Sequence, residues 1–283
     1  MDPIVAIVAP GSMGAAVGAR LVSRGAKVLT SLEGRSAASH DRARAAGLTP
    51  VAERDLLEAD FVLSIVPPAQ ALLLAERLEP WLRVAAHKPV FVDCNAVSPA
   101  TMQRIAAVIA AAVTPCVDAG IIGMPPRAGA SGPHFYASGP YAARFESLER
   151  YGLEIRVLAG PIGAASALKM SYAGITKGIT AVATAMLLAA TRGEVGDALR
   201  VELAESQPSL LASFVRTVPG MFPKSYRWVA EMREIATFAG EDAAAADIFE
   251  GAAALYDRIA RDVAGERREA RLLERFLSGE GDH

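Results

Sequence analysis

The chain has 283 residues, of which 52% are hydrophobic, and its formal net charge at pH 7 is −2. This length suits one large domain or two of ordinary size, and the weak charge without a long basic run argues against nucleic acid as a partner. The two cysteines, Cys94 and Cys116, are too few for a disulfide framework or a zinc site. We therefore expect two buried free thiols and no metal.

The apolar content predicts extensive burial, either in a membrane or in an oligomer. The longest lysine-free apolar run, residues 178–190, is shorter than the ~18–20 residues that span a bilayer. Burial in an oligomer is therefore favoured, and no membrane is expected. The chain begins in a strand pattern without a basic leader, which predicts a cytoplasmic location.

The first strand and the turn after it predict a dinucleotide site. Residues 4–9 read IVAIVA, a pattern typical of a strand buried on both faces of a parallel sheet. An amphipathic helix and a strand over 27–30 follow. The turn between strand and helix, residues 9–14, has the spacing of G-x-G-x-x-G with alanine in the first position. Glycine there lets the backbone approach a pyrophosphate, and the helix N-terminus offers N–H groups. The expected cofactor-binding residues are Pro10, Gly11, Ser12, Met13 and Gly14; the alternative is a turn that only packs helix on strand.

The end of the second strand bears on which cofactor is bound. A carboxylate there bonds the ribose hydroxyl of NAD, whereas a basic residue accepts the 2′-phosphate of NADP. The chain has Ser31, Arg35 and Ser36, which suit a phosphate, but also Glu33, which suits NAD. NADP is therefore favoured, and NAD stays open.

Two further buried strands, residues 61–66 and 89–94, end in turns that we expect at the ligand crevice. The first ends in Val66, Pro67 and Pro68, and strand ends on the carboxyl edge of a parallel sheet face the ligand. Asn95 ends the second, where its amide either faces a nicotinamide or belongs to the turn. Ser98 precedes a proline and is predicted to cap a helix that reaches residue 112.

Strands are then predicted over residues 116–123, 134–139 and 153–158. Arg127 lies in a Gly/Pro loop between the first two; it either binds a substrate carboxylate or is a surface arginine. Strands alternate with helices up to residue 158, which predicts a doubly wound α/β domain. We assign this dinucleotide-binding domain to residues 1–159.

The rest of the chain is predicted to be all-helical. Residues 160–191 form an Ala-rich stretch that begins with Gly-Pro and contains just two lysines, Lys169 and Lys177. A helix apolar on all sides is expected to be buried on all sides. Five further helices are predicted, over residues 196–206, 209–216, 226–239, 243–264 and 266–276. Together they form a substrate and dimerisation domain, residues 160–283.

Lys169 is the predicted catalytic residue, because an ammonium group at the domain junction can transfer a proton to or from a substrate. The alternative is a lysine that extends its apolar stem over the helix and its charge into water. Tyr172 shares its helix face and either lines the substrate pocket or packs as a ring. Lys177 points elsewhere, as a structural or surface residue. Trp228 is expected to belong to an apolar wall of the substrate pocket.

These motifs, in this order, resemble those of the β-hydroxyacid dehydrogenases, the group that includes 3-hydroxyisobutyrate and 6-phosphogluconate dehydrogenases and is related to the imine reductases. The resemblance rests on the glycine turn and on residues 65–68, 93–99, 118–123 and 160–169. It implies an α/β Rossmann domain, then an all-α C-terminal domain built around a long interdomain helix that forms homodimers. It also implies that Lys169 is the acid/base and that Ile122 and Gly123 occupy the substrate-carboxylate turn.

The chain departs from this family at three places. Ala173 stands where an asparagine is usual, Ile122 where a serine is usual, and residues 228–233 where a lysine–aspartate pair is expected. The resemblance implies an NAD(P)-dependent oxidoreductase of a divergent subgroup that acts on a hydroxy acid or a related alcohol or carbonyl compound, and residues 31–36 favour NADP as its cofactor. Two alternatives stay open: an imine reductase, which often lacks the lysine, and a non-catalytic NADP-binding module.

Overall fold

The computed structural model describes residues 2–126 and 131–279. The chain forms two compact units, Met1–Met170 and Ser171–His283. The predicted domain border after residue 159 stays a prediction.

One sheet runs through the N-terminal unit, and its described strands lie in the order β3-β2-β1-β4-β5-β6-β7-β8. Strands β1 to β6 are parallel, whereas β7 is antiparallel to β6 and parallel to β8. The order 3-2-1-4-5-6 is that of Rossmann dinucleotide-binding sheets, which confirms the predicted fold class. The strands are β1 (Ile4–Val8), β2 (Lys27–Thr30), β3 (Thr49–Pro50), β4 (Phe61–Ser64), β5 (Val90–Asp93), β6 (Cys116–Ile122), β7 (His134–Ser138) and β8 (Glu154–Val157).

Helices cover both faces of this sheet, because the central strands are apolar on both sides. All residues of β4 and β5 are buried, and two separate apolar clusters fill the two faces. The helices of this unit are α1 (Ser12–Ser23), α2 (Ala37–Ala45), α3 (Pro68–Val84), α4 (Pro99–Ala111) and α5 (Ala142–Glu146). Both cysteines are buried free thiols, as predicted.

Several helix ends follow the sequence signals, and others do not. Ser98 caps α4, its Oγ accepting a hydrogen bond of 3.2 Å from the backbone N–H of Thr101, as predicted. Helix α3 begins at Pro68, where the missing N–H of proline costs nothing. The short strand β3 and the 3₁₀ helices Glu53–Glu58 and Ser147–Tyr151 have no periodic signal of their own.

The C-terminal unit is helical, and none of the described strands lies beyond residue 160. Helix α6 (Ala164–Arg192) begins in the N-terminal unit and continues into the second. The other helices are α7 (Gly196–Ser206), α8 (Pro208–Met221), α9 (Ser225–Phe238), α10 (Ala243–Ala264) and α11 (Arg268–Ser278), with the 3₁₀ segment Phe222–Lys224. The predicted helical C-terminal region is confirmed.

The long helix differs from its prediction in two respects. It begins at Ala164, after the Gly-Pro pair that we expected to open it. It is also not buried on all sides within the chain, since Ile175, Ile179, Val182 and Met186 are each half exposed or more. These four side chains recur at helical spacing and form one apolar stripe, which we call the α6 stripe.

Helix α6 is, among the described residues, the one helix long and apolar enough to cross a membrane by length and composition. Half of its most apolar window is buried inside the protein. A single helix of this kind is weak evidence for a membrane span, because core helices of soluble proteins satisfy the same criteria.

Lys177 joins three helices of the C-terminal unit. Its ammonium group forms an ion pair with Glu231 of α9 and lies 5.0 Å from the centre of the Trp228 ring. The Tyr256 hydroxyl of α10 donates a hydrogen bond of 2.6 Å to the Lys177 carbonyl oxygen, and its ring packs edge-on against Trp228. Such buried pairs fix the packing of neighbouring helices when both partners are present. Lys177 is thus a structural residue of this unit.

Candidate active site

The glycine turn brings the N-terminus of α1 to the end of β1. A side chain at Gly14 would place its Cβ 2.1 Å from the Ala9 carbonyl oxygen, so helix and strand can approach this closely with glycine alone. Gly11 precedes α1, and no described side chain caps this helix. A Cβ at Gly11 would meet no atom within 4 Å. Open space beside uncapped helix N–H groups fits the pyrophosphate of a dinucleotide.

The other predicted residues of the glycine turn are Pro10, Ser12 and Met13, which lie on either side of Gly11 in the chain. Ser12 and Met13 are the first two residues of α1. The Pro10 carbonyl oxygen accepts a hydrogen bond of 3.2 Å from Arg42 of α2, which ties the turn to the next helix. The glycine turn is therefore held by the start of α1 and by a hydrogen bond from α2.

A cavity of about 380 Å³ lies beyond the ends of β1 and β2 and includes two of the predicted cofactor residues, Ser31 and Arg35. Ser36 is not among the lining residues; it precedes α2, and its hydroxyl shares a hydrogen bond with Ser39. Five further lining residues could not be identified from the sequence pattern: Gly34 in the same loop as Ser31 and Arg35, and Val8, Glu53, Gln70 and Arg77 from other elements.

The charges that line this cavity balance one another. Arg77 donates from Nε and Nη2 to the carboxylate of Glu53 at 2.8–3.2 Å. Glu33 accepts a hydrogen bond of 3.3 Å from the backbone N–H of Glu53. Two arginines thus face two glutamates, so net charge alone does not select NAD or NADP.

Asn95 connects the ends of β4 and β5. Its Oδ1 accepts a hydrogen bond of 2.7 Å from the Val66 backbone N–H, and its Nδ2 bonds Ser64 and Asp93 at 2.7 Å each. The side chain is 3% exposed. Its observed role is to support the turn at Val66; the predicted contact with a nicotinamide stays a prediction.

Helix α3 begins directly after this turn. Pro67 precedes it without a capping bond from any described side chain, and Pro68 is its first residue. A second uncapped helix N-terminus therefore lies at the end of β4, next to the strand that leads into α1.

Two buried carboxylates lie side by side on adjacent strands. Asp93 of β5 pairs in register with Asp118 of β6, and each is 1% exposed. Burial raises the pKa of Asp93 to about 7, and the charge of Asp118 acts in the same direction, whereas hydrogen bonds from Asn95 lower it. Asp93 therefore changes its protonation state near neutral pH.

Lys169 lies on the second turn of α6, against β6. A Cβ at Gly120 would lie 3.0 Å from the Lys169 Cβ and 3.1 Å from the Ala165 carbonyl oxygen. Because Gly120 has no side chain, helix α6 can pack directly against the backbone of β6 at this point. The lysine is half-buried. The carboxyl ends of parallel strands share one edge of a sheet, and Lys169 therefore lies along the edge that also carries the glycine turn and Val66.

The predicted substrate residues are distributed over several elements. Ile122 is the last residue of β6, and Gly123 follows with φ +131°. Tyr172 is about half exposed on α6 and Trp228 packs on Tyr256, both in the C-terminal unit. Arg127 lies outside the described residues.

Residues 4–151 match the family of the NAD binding domain of 6-phosphogluconate dehydrogenase. The chain belongs to this family. Membership confirms the resemblance to the β-hydroxyacid dehydrogenases, and it identifies a nicotinamide dinucleotide as the cofactor of this NAD-binding oxidoreductase fold. Residues 190–259 match a further domain family of unknown function, DUF1932, in agreement with a divergent subgroup.

Similar proteins extend over most of the chain. An uncharacterized 28.5 kDa protein of Methanothermus fervidus is 30% identical over 215 residues, which are 75% of this chain and 81% of that protein. Among solved structures, the conserved protein MTH1747, described as similar to 3-hydroxyacid dehydrogenases, is 30% identical, covers 92% of this chain and 98% of its own, and has a TM-score of 0.68. The 3-hydroxyisobutyrate dehydrogenase of Mycobacterium tuberculosis, 20% identical, covers 93% and 96% with a TM-score of 0.67 and shares the fold.

Asp93→Asn is expected to change how stability depends on pH. The folded-state pKa of Asp93 is about 7, whereas an unfolded aspartate has a pKa of about 3.9. Between these values folding takes up a proton, so the wild-type free energy of unfolding falls by about 1.4 kcal/mol per pH unit relative to the variant. Urea denaturation of both proteins between about pH 5 and pH 6.5 measures this slope. A difference that is constant over this range would contradict the shifted titration.

Proposed function

We propose that this protein is an NADP-dependent oxidoreductase that transfers hydride between a nicotinamide and a hydroxy acid or a related alcohol or carbonyl compound, with Lys169 as general acid/base. One observation carries the proposal. A half-buried lysine lies at backbone distance from β6, along the same sheet edge as the glycine turn and the uncapped N-terminus of α1.

The proposed chemistry divides the reaction between cofactor and protein. A bound nicotinamide supplies the hydride acceptor or donor. In oxidation, Lys169 takes the proton of the substrate hydroxyl; in reduction, its ammonium group donates that proton. Residues of the glycine turn, together with Val66, Pro67 and Pro68, are proposed to hold the dinucleotide.

The residues proposed for the substrate are Ile122, Gly123, Arg127, Tyr172 and Trp228, of which Arg127 is the one cationic side chain. With isoleucine where the family has serine, and Ala173 where it has asparagine, two polar anchors for a small acid are replaced by apolar groups. We therefore propose a bulkier or less acidic substrate than hydroxyisobutyrate. The presence of Lys169 favours alcohol or carbonyl chemistry over an imine reductase or a non-catalytic module.

Lys169→Ala is expected to lower kcat by about 10²–10⁴, because it removes the proton-transferring group, and to leave the Kd for NADPH within about twofold of wild type, because the dinucleotide is held by other residues. The substrate is first found by following the absorbance of NADPH with panels of hydroxy acids, alcohols, ketones and imines. Lys27→Ala is the matched control, because Lys27 is exposed at the start of β2, whereas the proposed site lies at the carboxyl ends of the strands. A Lys169→Ala enzyme with wild-type turnover would show that the assigned role is wrong.

The choice of NADP is proposed from Arg35, Ser31 and Ser36, with Glu33 as the residue that favours NAD. Arg35→Ala is expected to weaken NADPH binding by at least about tenfold, equal to 1.4 kcal/mol, and to leave NADH binding nearly unchanged, because NADH lacks the 2′-phosphate. Titration by fluorescence or calorimetry measures both constants. Arg54→Ala controls for general electrostatics, since Arg54 is exposed in the neighbouring 3₁₀ helix. Equal losses for both cofactors would contradict the NADP assignment.

We also propose a homodimer through the C-terminal unit. The α6 stripe flanks a groove of about 430 Å³ between α6 and α10, lined by small residues that include Gly178, Ala185 and Gly251. Val182 and Ile248 also line this groove, and they are 60% and 62% exposed. A ridge and a groove on one face suit a two-fold interface, in which each copy places its ridge in the groove of the other.

Val182→Arg is expected to convert the dimer to a monomer, because each copy would bury an unpaired charge at the interface. Size-exclusion chromatography with light scattering measures the mass. The control is Val84→Arg, which replaces a similarly exposed valine in the N-terminal unit, 73% exposed at the end of α3. A wild-type monomer, or a dimer that persists in Val182→Arg, would contradict this interface.

A further inference from the structure

The first turn of α6 lacks a cap of its own. The helix begins at Ala164, and the residue before it, Gly163, has φ +105° and no side chain. The first N–H groups of a helix have no intrahelical acceptor and usually bond the side chain that precedes the helix. At this terminus the acceptors must come from another part of the chain.

Asp118 and Ser138 supply them. The Asp118 Oδ2 accepts hydrogen bonds from the backbone N–H groups of Gly163 and Ser166 at 2.9 and 3.1 Å, and its Oδ1 accepts one of 2.7 Å from the Ser166 hydroxyl. The Ser138 Oγ accepts a bond of 3.0 Å from the Ala165 N–H and donates one of 2.9 Å to Asp118. We call this set of bonds the Asp118 clamp.

The clamp is buried and belongs to the sheet. Asp118 and Ser138 are 1% and 0% exposed, and they pair in register across the antiparallel strands β6 and β7. A carboxylate at a helix N-terminus also interacts favourably with the positive end of the helix dipole. The clamp therefore fixes the first turn of α6 to two strands at once.

The clamp is coupled to Lys169 by geometry. Ser166 and Lys169 are three residues apart and share one face of α6. Asp118 and Gly120 are two residues apart and share one face of β6. The same strand thus holds the helix at Asp118 and contacts it at Gly120, where the Lys169 Cβ is at its closest.

We propose that Asp118 is a positioning residue for Lys169. It anchors the first turn of α6 and thereby sets the point at which the lysine side chain leaves the helix beside the end of β6. This inference rests on the proposed function, in which Lys169 moves the proton. Asp118 acts through the helix and exchanges no proton with the substrate.

The test compares Asp118→Ala, which removes the clamp, with Asp118→Asn, which can keep it. The asparagine oxygen can replace Oδ2, and its amide can donate to the Ser166 hydroxyl, so the bonding pattern is retained without the charge. The first readout needs no substrate. Competitive acetylation of the lysines, followed by peptide mass spectrometry, reports the accessibility of Lys169, and Lys177 on the same helix is the internal control.

In Asp118→Ala, acetylation of Lys169 is expected to rise by about threefold or more as the first turn opens, with Lys177 unchanged. The kcat is expected to fall by about tenfold or more, because a misplaced catalytic group loses its orientation, while the Kd for NADPH stays within about twofold of wild type. Asp118→Asn is expected to restore both values. Wild-type labelling of Lys169 in Asp118→Ala, or an Asp118→Asn protein as impaired as Asp118→Ala, would overturn the proposal.

Two further variants keep the outcomes distinct. If Asp118→Ala fails to fold, Ser138→Ala removes one arm of the clamp and is expected to give a smaller increase in labelling; wild-type labelling there would overturn the proposal. Asp118→Ala added to Lys169→Ala is expected to cost no further turnover, because the two act as one unit. A fully active Lys169→Ala would refute the proposed function, whereas an inactive Lys169→Ala beside a fully active Asp118→Ala would refute the positioning role alone.

Discussion

The hydrogen bonds between the Asp118 carboxylate and the first turn of α6 join the sheet to the longest helix of the chain. The donors Gly163 and Ser166 follow Asp118 by 45 and 48 residues, so this is a tertiary contact in place of a local cap. A buried N–H without an acceptor costs about 1–3 kcal/mol, and two such groups, those of Gly163 and Ser166, depend on the same carboxylate. The Asp118 carboxylate therefore fixes the start of α6 to strand β6, and with it the position of Lys169.

The carboxyl edge of the sheet has two halves that differ in polarity. Around the ends of β1 and β4, two helices begin without a described side-chain cap, so the positive ends of their dipoles face outward. Around β5 and β6, the buried carboxylates of Asp93 and Asp118 lie next to each other. The first half therefore has the polarity that suits a polyanionic ligand, whereas Lys169 packs against β6 in the second half.

Features with a local cause could be predicted from the sequence, and features with a tertiary cause could not. The strand Lys27–Thr30 and the helix Ala243–Ala264 lie where the apolar pattern places them, and the cap at Ser98 follows from its own hydroxyl. The start of α6 was missed because Asp118 sets it from a distant strand. The 3₁₀ helix Glu53–Glu58 is too short to show an apolar periodicity in the sequence. The Glu53–Arg77 pair of the cavity, which depends on this helix, could therefore not be predicted either. For Asn95 the sequence leaves two roles open, a contact with a nicotinamide and a place in the turn, and the observed hydrogen bonds of its amide lie within the turn.

The hydrogen bonds of the Asn95 side chain couple the turn after β4 to the end of β5. Its side chain holds the Val66 backbone at 2.7 Å and bonds both Ser64 and Asp93. The turn after β4 can therefore move only if the end of β5 moves with it or if these bonds break. A molecule that displaces the turn at Val66 transmits that displacement to the neighbouring strand end, and so to the carboxylate whose protonation changes near neutral pH.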